Sequence, residues 1–218
     1  MEKAKIELLN IDCLPFMKQC SDNQFDLAIV DPPYGININN QSQGKGGGVA
    51  KKIDYTVKNW DKDIPSPEYF AELKRISKNQ IVFGGNYFIE MLTNSPCWVV
   101  WDKDNGDTDF ADCELAWTSF KSAVRKVKWK WSGMLQQNMK DKQERIHPTE
   151  KPQKLYEWIL MNYAKTGDKI IDTHLGSGSI ALACYDLGFD LTACEIDKEY
   201  FDKANNRLND FKKQLTLF

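Results

Sequence analysis

Short apolar runs that end in a polar or glycine-rich corner recur along the whole chain, the pattern of parallel strands buried on both faces. Seven or eight are present, at residues 6–10, 25–30, 80–83, 97–101, 114–117, 127–131, 169–172 and 191–195. Amphipathic stretches of helical length fall between several of them, notably 67–77, 153–164, 179–187 and 197–211. This alternation predicts an α/β domain, with a mostly parallel seven- or eight-stranded sheet and helices on both faces. The later strands follow one another with little helix between, which predicts an antiparallel edge.

A single domain is expected over all 218 residues, a length that buries about 70% of the unfolded surface without disulfides or metals. Six cysteines stand at 13, 20, 97, 113, 184 and 194 with no CxxC spacing, which speaks for reduced thiols and against a zinc ribbon or a redox pair. His147 and His174 are the only histidines, so no multi-histidine metal site is available and metal-free chemistry is expected. The charged start Met1-Glu2-Lys3-Ala4-Lys5 has no signal-peptide core behind it, and no apolar run approaches the ~20 residues of a membrane span. A cytoplasmic protein without membrane contact is the expectation.

Two corners carry chemistry. Asp172-Thr173-His174-Leu175-Gly176-Ser177-Gly178-Ser179 follows a strand and opens a helix, which puts two glycines where a ligand approaches backbone at a helix N-terminus. Glu195 ends the next strand at roughly the twenty-residue spacing at which an acid meets ribose hydroxyls. A third glycine and a P-loop lysine are both missing, so a cofactor with an adenosine but no phosphate chain fits best, and S-adenosylmethionine is such a cofactor. The second corner is Asp31-Pro32-Pro33-Tyr34-Gly35, after the strand at 25–30. Two prolines remove two backbone donors, which leaves an acceptor-rich corner. The Asp31 carboxylate and the Pro32 carbonyl suit the two N–H groups of an aromatic amine, with Tyr34 covering the ring.

With these motifs in this order, the chain resembles the DNA amino-methyltransferases (adenine-N6/cytosine-N4) of the circularly permuted β group, which carry DPPY before the cofactor motif. The likeness spans nearly the whole chain. It implies a Rossmann-like S-adenosylmethionine-dependent methyltransferase fold, with Asp31, Pro32, Pro33 and Tyr34 as the catalytic motif. Ile11-Asp12-Cys13 matches the family's first corner, so Asp12 and Cys13 are expected at the cofactor's adenine. His147-Pro148-Thr149-Glu150-Lys151-Pro152 matches a segment lining the cofactor's methionine end, which implicates His147, Thr149 and Lys151. Asp172, His174, Gly176, Ser177, Gly178 and Ser179 match the glycine motif, and Glu195, with Ile196 after it, the ribose-binding acid. Departures are Ile11 for Gly, Glu150 for Gln and Thr173-His174 for Pro-Phe. His174 is expected either to stack beside the cofactor and titrate near neutral pH, shifting cofactor affinity, or simply to be satisfied in a turn. Lys151 offers its cation to the cofactor carboxylate.

Overall charge is −2, yet residues 121–154 hold ten Lys or Arg against three acids, a local +7. Arg125-Lys126-Val127-Lys128-Trp129-Lys130-Trp131 alternates as a strand does, with Lys126, Lys128 and Lys130 on one face as a candidate DNA surface. Lys140, Lys142 and Arg145 extend it. The aperiodic stretch 36–63, with Gly44-Lys45-Gly46-Gly47-Gly48 in it, is expected to be a flexible basic loop placing Lys45, Lys51 and Lys52 over DNA. Deleting residues 44–52 is expected to weaken DNA binding more than cofactor binding. Family members commonly insert a target-recognition domain before the His-Pro motif, whereas only residues 118–146 are available here, so recognition apparatus must be small.

The expected function is base flipping followed by methyl transfer to adenine N6 in double-stranded DNA, since Asp at the first motif position is commoner among adenine enzymes of the family. Cytosine N4 is the close alternative, and a catalytically silent cofactor- and nucleic-acid-binding protein a further one. An NAD-dependent oxidoreductase shares the glycine corner but gives no role to Asp31–Tyr34. Members of the group often dimerise, so a second copy of the chain is a candidate partner. The expected setting is a prokaryotic cell, with the chain encoded by it or by a phage.

Overall fold

The computed structural model describes residues 4–37, 61–106, 111–132, 135–140, 142 and 145–215. The expected loop at 36–63, with Lys45, Lys51 and Lys52, lies almost wholly outside the described residues. In chain order the elements are β1 (Ile6–Leu9), α1 (Cys13–Gln19), β2 (Phe25–Val30), α2 (Pro67–Ile76), β3 (Ser77–Phe83), β4 (Trp98–Asp102), β5 (Cys113–Thr118), β6 (Arg125–Lys128), β7 (Trp131–Ser132), β8 (Leu135–Gln136), α3 (Gln153–Tyr163), β9 (Lys169–Asp172), α4 (Ser179–Leu187), β10 (Asp190–Cys194) and α5 (Lys198–Leu215).

Eight strands form one sheet in the order β1-β10-β9-β2-β3-β5-β4-β6, and β7 and β8 form a separate antiparallel pair. β1, β10, β9, β2 and β3 are mutually parallel. β5 runs against both β3 and β4, while β6 is again parallel to β4. The α/β architecture read from the sequence is present, with antiparallel pairing gathered toward the β6 end of the sheet.

β2 shows how alternation builds three layers. Leu27 and Ile29 join a core that holds Leu155 and Ile159 of α3, Ile180 of α4 and Leu208 of α5. Ala28 and Val30 face the opposite side, with Met17 of α1 and Tyr69, Phe70, Leu73 and Ile76 of α2. α2 starts where the Ser66 hydroxyl accepts the Tyr69 amide at 3.3 Å and Pro67 presets the first turn. Its four buried side chains recur at helical spacing, each contributing about 1.5–3 kcal/mol by leaving water.

Two segments differ from the sequence reading. α1 is a helix that the periodicity does not announce, because Pro15 interrupts a short stretch; proline is tolerated there since first-turn amides have no partner inside the helix. The strand expected over 127–131 is instead β6, ending at Lys128, followed by the hairpin that Trp131 opens. Trp131 leaves the sheet because its indole is buried elsewhere, donating to the Glu150 carbonyl at 2.7 Å.

β2 and β9 are neighbours drawn from opposite halves of the sequence. From β2 the sheet continues to β3 on one side, and from β9 to β10 on the other. Connections leaving their carboxyl ends therefore diverge and open the crevice where doubly wound sheets bind ligands. Among the described residues no helix is long and apolar enough to cross a membrane.

Candidate active site

Both motif corners stand at this crevice. β9 delivers Asp172, whose Oδ1 accepts the His174 amide at 3.0 Å. Leu175 N donates to Cys194 O at 2.9 Å, which ties the turn to the end of β10. Glu195 accepts from Gly176 N at 2.8 Å with one oxygen and from Asp197 N at 2.9 Å with the other. Gly176 and Gly178 hold φ of +53° and +74°, and a Cβ on Gly178 would come within 3.0 Å of the Ala204 Cβ, so glycine there permits α4 to start against α5.

The His-Pro segment lies over this turn. The His147 ring meets Tyr200 edge-on at 4.4 Å and is the nearest side chain to the open space over Gly176. Its Nδ1 lies 3.1 Å from the Thr149 hydroxyl. Glu150, with a fully buried side chain, pairs with Arg207 of α5 at 3.0 Å, and Arg207 also donates to Ser177 O and Ser179 Oγ. Glu in place of the family's Gln thus has its own cation, one that joins the two motifs.

At the end of β2 the Tyr34 hydroxyl donates to Asp31 Oδ1 at 2.6 Å, and the Lys151 ammonium donates to Oδ2. The Tyr34 ring stacks on Tyr87 at 4.9 Å and 12°. It fills the space over Gly84, where a Cβ would lie 2.2 Å from its Cε1. Asp61 accepts the amides of Tyr34 and Gly35 at 2.8 and 3.0 Å, which fixes the backbone after the two prolines. Lys151, 3% exposed at its side chain, stands between Asp31 and Glu114 of β5, 3.3 Å from the latter.

Burial dominates the titration of these groups. It raises Asp31 despite the Lys151 cation, and keeps the Tyr34 phenol protonated far above its usual range, as a donor to Asp31. Burial works against the Lys151 charge, but Asp31 and Glu114 outweigh it and raise the ammonium's pKa. Asp172, 2% exposed, is pushed up to about 8 by burial, against the His174 amide that favours its charge. Burial also lifts the Cys13 thiol to about 12, with Asp12 reinforcing it.

The structure corrects two expectations. His174 does not titrate near neutral pH: burial lowers it to about 4, and it is a neutral ring bonded through Nδ1 to the Thr173 hydroxyl at 2.9 Å and edge-on to Tyr69. Lys151 turns to Asp31 and Glu114, because a buried ammonium needs anions and these are the nearest. Lys126, Lys128 and Lys130 keep their side chains at the surface, where Lys126 pairs with Asp102 and the other two with Asp104. Lys140 and Lys142 are exposed, and Arg145 lies over the Trp131 ring at 4.8 Å.

Asp12 caps α1 by accepting the Leu14 amide at 3.0 Å, at the rim of an open hollow of about 450 Å³ lined also by Ile11, Pro15, Phe16 and Gln19. Cys13 is half-buried beside it, and Ile196, just after β10, projects into solvent. Glu114, Lys103, Asp61, Gly84 and Tyr87 were not singled out in the sequence. Only the Gly84-Gly85 pair after a strand carried a local signal; the others depend on β5, β4 and the return of the chain at Asp61. Among the described residues no cluster of three or more His, Cys, Asp or Glu could hold a metal.

The fold and crevice define a class: a doubly wound α/β domain with a glycine turn and acid on one side of the switch point and an Asp-Pro-Pro-Tyr corner on the other. A family model described as DNA methylase matches residues 96–206, just over half of the chain, and the chain belongs to that family of DNA amino-methyltransferases. It is similar to the Type II methyltransferase M.HinfI of Haemophilus influenzae, 25% identical across 94% of this chain and 68% of that one. The Type II methyltransferase M2.DpnII of Streptococcus pneumoniae is 24% identical across 94% of this chain and 90% of its own. Among solved structures, the M1.HpyAVI–SAM complex superposes with a TM-score of 0.59 at 21% identity, covering 94% of this chain and 99% of that one. PvuII DNA methyltransferase (cytosine-N4-specific) gives 0.60 at 12% identity, covering 97% and 93%. At these identities the structures speak for a shared fold.

Proposed function

We propose that the chain methylates adenine N6 in DNA, with S-adenosyl-L-methionine as donor and Asp31 as the group that receives the target amine. The observation that carries this reading is the Asp31 carboxylate at the switch-point crevice, held by Tyr34 and Lys151 at the end of β2, the strand beside β9 that leads into the glycine turn.

The residues on the β9 and β10 side fit the donor. Asp172 is a buried acid whose pKa of about 8 reflects the lack of a neighbouring cation strong enough to offset burial, and the donor carries an ammonium and a sulfonium. Over Gly176 a side chain would meet nothing closer than 3.9 Å, which leaves room for a ligand against backbone. Asp172, Gly176, His147 and Thr149 would hold its amino-acid end, Glu195 the ribose, and Asp12, Cys13 and Ile196 the adenine. When bound, S-adenosylmethionine supplies a methyl group on positively charged sulfur.

On the β2 side, duplex DNA hides the amine, so the target nucleotide must leave the stack and enter against Tyr34. Asp31 and the Pro32 carbonyl then accept the two amine hydrogens, which draws the nitrogen lone pair out of ring conjugation and aims it at the methyl group. Positioning and fixed charge supply most of such a rate enhancement. Aspartate at position 31, where cytosine enzymes of the family more often have serine, favours adenine. We place the activity in a prokaryotic cytoplasm, as suits bacterial relatives, with a second copy of the chain as a candidate partner to be tested by sedimentation.

The test is incubation with methyl-labelled S-adenosylmethionine and unmethylated duplex DNA, then nucleoside mass spectrometry. Label in N6-methyladenine is expected. Label in N4-methylcytosine would overturn the choice of base, and no label in either would overturn the reading.

A further inference from the structure

Asp31 is one end of a row of alternating charges, half-buried except for the buried Lys151, that no single motif contains. Lys151, just before α3, bridges Asp31 and Glu114. Glu114 in turn pairs through its other oxygen with Lys103, which follows β4. Aromatic rings wall the row: Lys151 Nζ lies 4.6 Å from the Phe83 ring centroid and 5.8 Å from that of Tyr34, and Lys103 Nζ lies 5.1 Å from that of Trp101. Water is largely excluded around the Lys151 side chain, 3% exposed, so it feels both neighbouring carboxylates strongly.

The reversed strand makes this arrangement. Because β5 is antiparallel to β3 and β4, Glu114 near its start arrives at the same edge of the sheet as the carboxyl ends of β2, β3 and β4. Trp101 of β4 is its cross-strand partner, so Lys103 reaches it from the next strand.

We propose that Glu114, seated by Lys103, is a positioning residue for methyl transfer: it holds the Lys151 ammonium between two carboxylates, so that Asp31 keeps acceptor capacity for the target amine. Lys151 has three N–H donors and, without Glu114, one buried carboxylate to satisfy them. The ammonium already takes one acceptor site on Asp31 Oδ2; without Glu114 its remaining donors turn to Asp31 as well and take the acceptor site that the amine needs. Lys103 acts one step further out by fixing the Glu114 carboxylate in the rotamer that reaches Lys151. The inference rests on the reading of Asp31 given above.

The experiment uses the full chain with S-adenosylmethionine and duplex DNA, comparing Glu114→Gln, Lys103→Met, Lys103→Arg and Asp31→Ala in thermal melts, cofactor affinity, KM for DNA and single-turnover rate. Glu114→Gln and Lys103→Met are expected to lower the rate by about tenfold or more, in the range for losing one positioned polar group, with cofactor affinity and KM little changed. Lys103→Arg is expected to recover most of the rate lost in Lys103→Met. Wild-type turnover by Glu114→Gln, or a loss confined to KM or cofactor affinity, overturns the inference while an inactive Asp31→Ala leaves the reading of Asp31 standing. An active Asp31→Ala would overturn that reading instead. Should Glu114→Gln fail to fold, the two Lys103 variants decide: equal rates in Met and Arg overturn the inference.

Discussion

Asp172 and His174 stand two residues apart and are shifted in opposite senses by the same burial. The folded Asp172 keeps a proton up to about pH 8 that an unfolded aspartate releases near 3.8, so its contribution to stability is full below 3.8 and is lost as pH rises through 8. His174 is neutral in the fold down to about pH 4 against 6.5 unfolded, so its contribution is present above 6.5 and lost as pH falls toward 4. In the absence of cofactor, Asp172→Asn should therefore gain stability relative to wild type as melts move from pH 5 to pH 8, and a constant difference would contradict this. Melts of His174→Phe should show a shallower loss than wild type between pH 6.5 and 4; an unchanged slope would place the proton elsewhere. Gly84 is constrained differently, by φ of +66° and a Tyr34 ring where its Cβ would stand. Gly84→Ala should cost about 1–3 kcal/mol by overpacking, read by urea unfolding, and should slow methyl transfer by displacing Tyr34.

α5 reaches back to the site through Tyr200, Ala204 and Arg207, and of these Arg207 brings a charge. Arg207→Ala leaves the Glu150 carboxylate buried without the cation seen opposite it, and losing one partner of a buried pair costs about 3–5 kcal/mol. Denaturant unfolding should show that loss, with a smaller one for Glu150→Gln, since Arg207 retains Ser177 O and Ser179 Oγ; equal losses would deny Arg207 its joining role. Elements with a strong period were legible in the sequence. β2, β9 and α4 occupy the predicted residues because continuous apolar runs bounded by glycine or proline leave no other choice. α1 was not legible, being a single pair of turns with Pro15 inside it, nor was the break between β6 and β7, which is set by the burial of Trp131 on a segment far along the chain. The same division holds for the site. Asp31 to Tyr34 and Asp172 to Gly178 are contiguous and could be read, whereas Glu114 and Lys103 acquire meaning only when β5 and β4 pair beside β3.

At the scale of the whole molecule, a net charge of −2 conceals a basic stretch of +7, and the fold sets acids from β4 and the residues after it among that stretch's lysines. Each phosphate neutralised by a free lysine contributes about 0.9 to the logarithmic salt dependence of duplex binding. Replacing Lys126, Lys128 and Lys130 together by Gln should therefore reduce that slope by clearly less than about 2.7, because Asp102 and Asp104 already compete for them; the full reduction would mean that all three leave their acids for DNA. The central claim concerns the crevice where β2 and β9 diverge, with the donor on one side and Asp31 receiving the amine on the other. Its most direct measurement is cofactor affinity and single-turnover methyl transfer to duplex DNA for wild type and Asp31→Ala side by side. The account predicts an unchanged fold and cofactor affinity with transfer slowed on the order of a hundredfold or more, and near-normal transfer by Asp31→Ala would contradict it.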